Sequence, residues 1–143
     1  MTAAVLLFTA SATGAATAAD AAGPPPKTGF TVVTSFVGPS AIIEADGPWS
    51  DCTSVTDLTN YVNQVGPTTV RYSGEKQVDC QSGSVVIHYT ADQRVTSQRG
   101  KTFGSWEVQT STHPGIHGGA GTVMGDPRGC PDCIVDVFEG RVY

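Results

Sequence analysis

The chain has 143 residues, a formal net charge of −5 and only 15% charged residues. An acidic chain of this kind lacks the basic surface that nucleic acid demands, and its solubility has to rest on Thr, Ser, Gln and Gly. Its length is that of one domain with a short leader.

The opening stretch "MTAAVLLFTASATGAATAAD" has an apolar run around Val5 to Phe8 that decays into small residues, with Ala16-Thr17-Ala18 as a small-x-small cleavage signal. It is too short and too rich in Thr and Ser to span a membrane, which needs about 20 mainly apolar residues. Residues 1–19 are therefore expected to be a signal peptide, cut after Ala18 or Ala19, and the mature chain to be secreted. The first cysteine is Cys52, so no lipid-bearing cysteine follows that site. Residues 20–29 read as a Pro-rich, extended leader, because the three prolines 24–26 suit neither a helix nor a central strand. Residues 30–143 are expected to form a single barrel domain.

From Phe30 onward apolar residues alternate with period two. "FTVVTSFV" (30–37) is almost entirely β-branched or aromatic. In "TTVRYSGEKQV" (68–78), Val70, Tyr72 and Val78 oppose Arg71, Ser73, Glu75 and Gln77. Val85, Ile87 and Tyr89 oppose Val86, His88 and Thr90, and Trp106 and Val108 oppose Glu107 and Gln109. Trp106 is thus expected to be buried with Val108, and Glu107 exposed. "VGPS", "DGPWSD", "VGPT", "QSGS" and "GDPRG" read as turns. The stretch 55–64, "VTDLTNYVNQ", fits a short helix or a strand equally. Short strands at roughly ten-residue spacing point to an all-β sandwich or barrel.

Four cysteines in an oxidising compartment allow three pairings. Pro131 in "CPDC" favours a type I turn, which brings Cys130 and Cys133 into disulfide range. Cys52 and Cys80 then form the second bridge. The chain-entropy relation assigns the longer bridge about 3.5 kcal/mol and the shorter about 2 kcal/mol.

Catalytic motifs are scarce. A redox Cys-x-x-Cys opens a helix beside a βαβ unit, whereas "CIVDVFEGRV" reads as a strand. His113-x3-His117 followed by Cys130-x2-Cys133 has the ligand types of a zinc site in reverse order. Pro114 and Gly115 separate the histidines, and thiols outside the cell are oxidised, so two solvated histidines in a loop are expected, with no metal or cofactor. No Gly-x-Ser-x-Gly elbow is present, and His88 reads as a strand residue on a partly polar face.

Two charged residues sit on apolar faces. Lys76 shares its face with Val70, Tyr72, Val78 and Cys80, and Asp136 alternates with Ile134 and Phe138. If both faces point inward, the two line the interior around a ligand or as a pair; the preferred reading is a strand bulge at Gly74 or a lysine snorkelling at a barrel mouth.

"YSGEKQVDCQSGSV" (72–85), "FGSWEV" (103–108), "GIHGGAGTVMG" (115–125) and "DVFEGRV" (136–142) occur in an order that resembles the allene oxide cyclase barrel-like superfamily, in particular its secreted bacterial members. The resemblance covers residues 48 to 143 and rests on glycines and aromatics. It implies an antiparallel, up-and-down barrel of eight strands with a lumen. The superfamily's plant cyclases, dirigent proteins and bacterial cyclases bind an apolar reactive molecule and direct its closure. No catalytic residue is carried over, and "HPGIHGGAG" departs from the superfamily's Gly-Thr-Gly-x-Tyr pattern.

The leading expectation is a secreted, disulfide-bonded barrel that binds an apolar small molecule, with Tyr72, Lys76, Tyr89, Trp106 and Asp136 lining the site. One alternative is a barrel cyclase or isomerase acting by confinement. The other is an extracellular interaction protein, such as a protease inhibitor, presenting loop 126–133. No nucleic-acid or membrane partner is expected.

Overall fold

The computed structural model describes residues 23–35, 39–95, 100–130 and 133–143, with residues 35 and 128–130 described by their backbone alone. The expected signal peptide and most of the expected 126–133 loop lie outside the described side chains. Eight antiparallel strands follow one another around a closed barrel. They are β1 (Thr28–Ser35), β2 (Ser40–Ala45), β3 (Cys52–Gly66), β4 (Thr69–Cys80), β5 (Gly83–Arg94), β6 (Thr102–Ser111), β7 (Gly119–Cys130) and β8 (Cys133–Val142). The barrel closes where β1 pairs with β8 along its whole length, from Thr28↔Gly140 to Ser35↔Cys133.

The alternation read from the sequence sets which side chains enter. Val78, Val85, Ile87, Tyr89 and Trp106 are buried, while Glu107 on the opposite face is exposed. The stretch 55–64 is strand, inside β3. Its residues pair with β4, and Val55, buried opposite Val78, lies on the inward face, whereas Val62, opposite Tyr72, is exposed. β1 begins at Thr28, two residues inside the expected leader, because Thr28 and Gly29 pair with Gly140 and Glu139. "GDPRG" does not form the expected turn between strands. It continues β7, with a register shift against β8 between Asp126 and Cys130.

The two ends of the barrel differ. At one end a 3-10 turn at Gly47–Trp49, opened by Pro48, swings the Trp49 ring beneath the strands, where it is fully buried. Trp49 meets Trp106 edge-on at 5.9 Å between ring centroids and Phe30 at 5.0 Å. Phe30 stacks on Phe138 at 4.8 Å. Each such aromatic pair adds about 0.5–1.5 kcal/mol beyond area burial. Ile116, from the loop between β6 and β7, completes this plug.

The disulfide Cys52–Cys80 ties the start of β3 to the end of β4 at the same end. Of the two bridges expected, this is the one described. The Cys130 side chain lies outside the described residues, so the Cys130–Cys133 bridge remains an expectation, with the two residues opposed in register.

The seam between β2 and β3 is short. It holds Ser40↔Val55 and Ala41↔Ser54 alone, whereas β3 pairs with β4 from Cys52 to Gly66. The upper part of β3 therefore stands beside the open end with one ladder edge unpaired among the described residues.

Candidate functional site

The core fills the plugged end, and its upper members Tyr89, Ala91, Val123 and Phe138 also face the space above it. Above it lies a cavity of about 580 Å³, open at the other end. That volume falls in the range of small-molecule sites, about 300–1,000 Å³. Its apolar walls come from Tyr72, Tyr89, Ala91, Val123, Ile134 and Phe138, and its polar groups from Thr34, Asp57, Asn60, Lys76, Gln93, Thr102 and Asp136. A depression of about 760 Å³ lies outside the barrel, between Pro25, His117 and Arg141. It is an open surface trough, so a ligand there would shed less water than one enclosed by the strands.

Four of the five expected site residues meet in this lumen: Tyr72, Lys76, Tyr89 and Asp136. Trp106 does not line it. Its ring lies lower, against Trp49, with its indole N–H donating to the Thr122 carbonyl at 3.0 Å. Alternation set Trp106 on the inward face correctly, but it carries no information about height along the barrel axis.

Lys76 is 9% exposed and carries its charge inside. Its Nζ donates to Asp57 Oδ1 at 2.6 Å and lies 4.7 Å from the centroid of the Tyr89 ring, a cation–π contact. The expected Lys76–Asp136 pairing gives way to Lys76–Asp57, because β3 and β4 set Asp57 directly opposite Lys76. Asp57 went unnoticed in the sequence, since 55–64 had no settled period. Once that stretch is a strand, Asp57 follows Val55 on the inward face.

Asp136 stands across the lumen on β8. Its Oδ2 accepts the Thr34 hydroxyl at 3.1 Å. Burial raises its pKa, opposed by the Lys76 charge and the Thr34 hydrogen bond, while the Asp57 charge raises it further. Tyr89 is pushed up to about 12, chiefly by burial and then by the charges of Asp57 and Asp136. Its hydroxyl thus keeps its proton and donates to Asn60 Oδ1 at 2.9 Å. Tyr72 donates to Gln93 Oε1 at 3.0 Å, and Gln93 in turn donates to the Gly100 carbonyl at 2.7 Å. The tyrosine rings are therefore held in place before any ligand arrives.

A second polar cluster sits at the plugged end. Asp51, Cys52, Cys80 and His113 each offer one ligand-type atom within 4.8 Å of the others. The two sulfurs are bonded to each other. The Gly115 N–H donates to His113 Nδ1 at 2.9 Å, which leaves the ring proton on Nε2, facing Asp51 Oδ1 at 2.8 Å. His113 is buried, contrary to the solvated loop expected; His117 is exposed as expected. Asp51 also accepts from the Ser82 backbone N–H at 2.8 Å and from its hydroxyl. Ser82 first, then His113, hold the Asp51 carboxyl far below the usual range. With its sulfurs and imidazole so engaged, the cluster latches the loop carrying Ile116 to the base of the barrel.

Comparison with family models, with curated proteins and with solved structures returned no match. The fold and cavity themselves define a class: an antiparallel eight-stranded barrel whose lumen is plugged at one end and open at the other.

Proposed function

We propose that this chain binds one small, mainly apolar molecule in the open half of its barrel. The observation that carries this reading is the cavity of about 580 Å³, where Tyr72, Tyr89, Ala91, Val123, Ile134 and Phe138 supply apolar wall among seven polar side chains. Apolar wall combined with polar groups held in fixed orientation is what a small-molecule site requires. The rings braced by Gln93 and Asn60 lower the ordering cost of binding. The reading accords with the resemblance to the allene oxide cyclase barrel-like superfamily, and membership of it is part of the proposal. The Cys52–Cys80 bridge favours an oxidising, extracellular location.

Titration with the apolar dye phenylnaphthylamine tests this. Wild-type protein should enhance its fluorescence saturably. Ala91→Phe, which adds a ring to the lumen wall, should abolish binding while circular dichroism stays unchanged. Equal binding by both proteins would place the dye elsewhere and defeat the reading.

A second reading, cyclase or isomerase, is favoured by the half-buried Asp136 carboxyl facing the same lumen as Lys76. A carboxyl of raised pKa is a competent proton donor, and confinement would supply the rest. Under that reading, Asp136→Asn would keep ligand affinity and lose turnover.

A further inference from the structure

Three ionisable side chains other than tyrosine share the lumen: Asp57 on β3, Lys76 on β4 and Asp136 on β8. Lys76 is committed to Asp57 at 2.6 Å and to the Tyr89 ring. Asp136 forms no ion pair among the described residues, and its hydrogen bond comes from the uncharged Thr34 hydroxyl. Tyr72 and Tyr89 donate to Gln93 and Asn60. β6 contributes Thr102, and β7 contributes Val123, Gly125 and Pro127, none of which titrates. The lumen is therefore neutral when Asp136 holds a proton and carries one negative charge when it does not. A Cβ at position 125 would stand 2.6 Å from Asp136 Oδ1, so glycine there keeps the space beside that oxygen clear.

Resting on the binding function proposed above, we infer that the lumen selects an uncharged apolar molecule bearing a hydrogen-bond-accepting oxygen, such as a ketone, ester or ether, which accepts from the protonated carboxyl of Asp136. An ammonium ligand would bring a second positive charge into the lumen that already holds Lys76. A carboxylate ligand would face Asp57 and Asp136 together. Burial already favours the acid form of Asp136, although Lys76 pulls the other way. A ligand that binds only the acid form takes up a proton as it binds. Its affinity levels off at pH below the Asp136 titration range and falls by up to about tenfold per pH unit above it.

The test is displacement of phenylnaphthylamine by four probes with one aromatic body: acetylnaphthalene, ethylnaphthalene, naphthoate and naphthylmethylammonium. It is run from about pH 4 to pH 8, a range that brackets a raised carboxyl, on the full chain, Asp136→Asn and Asp136→Leu. In wild type, acetylnaphthalene should bind best at low pH and lose its advantage over ethylnaphthalene as pH rises. Asp136→Asn, whose amide still donates, should keep the ketone preference without the pH dependence. Asp136→Leu should bind ethylnaphthalene and show no ketone preference. A ketone advantage that survives Asp136→Leu overturns the inference, as does an ammonium probe that binds best and tightens with rising pH; both leave the binding function standing. Failure of dye and ethylnaphthalene alike would overturn the binding function and this inference with it.

Discussion

Lys76 carries its charge inside the barrel because Asp57 accompanies it. The Asp57 side chain is 47% exposed and that of Lys76 11%, so water shares in solvating one partner only. Asp57→Ala strands the buried ammonium and should cost about 1–3 kcal/mol, less than a fully buried pair would. Lys76→Met replaces the ammonium by an apolar chain of similar length and should change stability by less than about 1.5 kcal/mol. Urea unfolding of both variants checks the asymmetry, and equal losses would refute it. Asp136 and Asp51 should pull stability in opposite directions with pH. Asp136 has a raised folded pKa, so its contribution is full below the unfolded value and is lost as pH rises through the folded one. Asp136→Asn should therefore unfold at a higher temperature than wild type at pH 7, with the gap closing on acidification toward pH 4. Asp51 is lowered, so its contribution is full above the unfolded value and is lost as pH falls toward the folded one. Asp51→Asn should be the less stable protein at pH 7 and converge with wild type in acid, as melting curves would show. Lys76 and Asp136 were legible in the sequence because each interrupts an alternating apolar face. Trp49 and His113 were not, because both reach the plug from loops, where no period announces burial.

Among the elements, β3 is the least evenly supported. It pairs along its length with β4 but through Ser40 and Ala41 alone with β2. Alternate amides of its upper half face the unpaired edge and should exchange hydrogen fastest among the barrel amides, with β4 and β5 slowest. Uniform protection across β3 would contradict the short seam. The lower end of β3 is held by the Cys52–Cys80 bridge. Replacing both cysteines by alanine should cost about 3–4 kcal/mol by denaturant unfolding. The alternating strands β4, β5, β6 and β8 were legible because each offers several apolar residues to one face. β7 was legible only through the resemblance, since it presents Gly121 and Gly125 where other strands present side chains. One cause of such small inward residues is visible at Gly140 on neighbouring β8, where a Cβ would stand 2.8 Å from the Trp106 ring.

In the molecule as a whole, the plug and the lumen divide one barrel between stability and binding. Trp49, Trp106, Phe30 and Ile116 fill one half, leaving Lys76, Asp57 and Asp136 around the cavity in the other. The barrel itself was legible in strand spacing and composition. Where its filling stops was not, because that depends on which loop folds under which end. Exposed apolar groups also occur outside, at Ile43, Phe103 and Met124, so affinity for an apolar dye does not by itself locate the site. Isotope-filtered NOE spectroscopy of the labelled protein with bound phenylnaphthylamine does. Lumenal binding predicts ligand NOEs to Val123, Ile134 and the Phe138 ring; NOEs confined to Ile43, Phe103 and Met124 would contradict it.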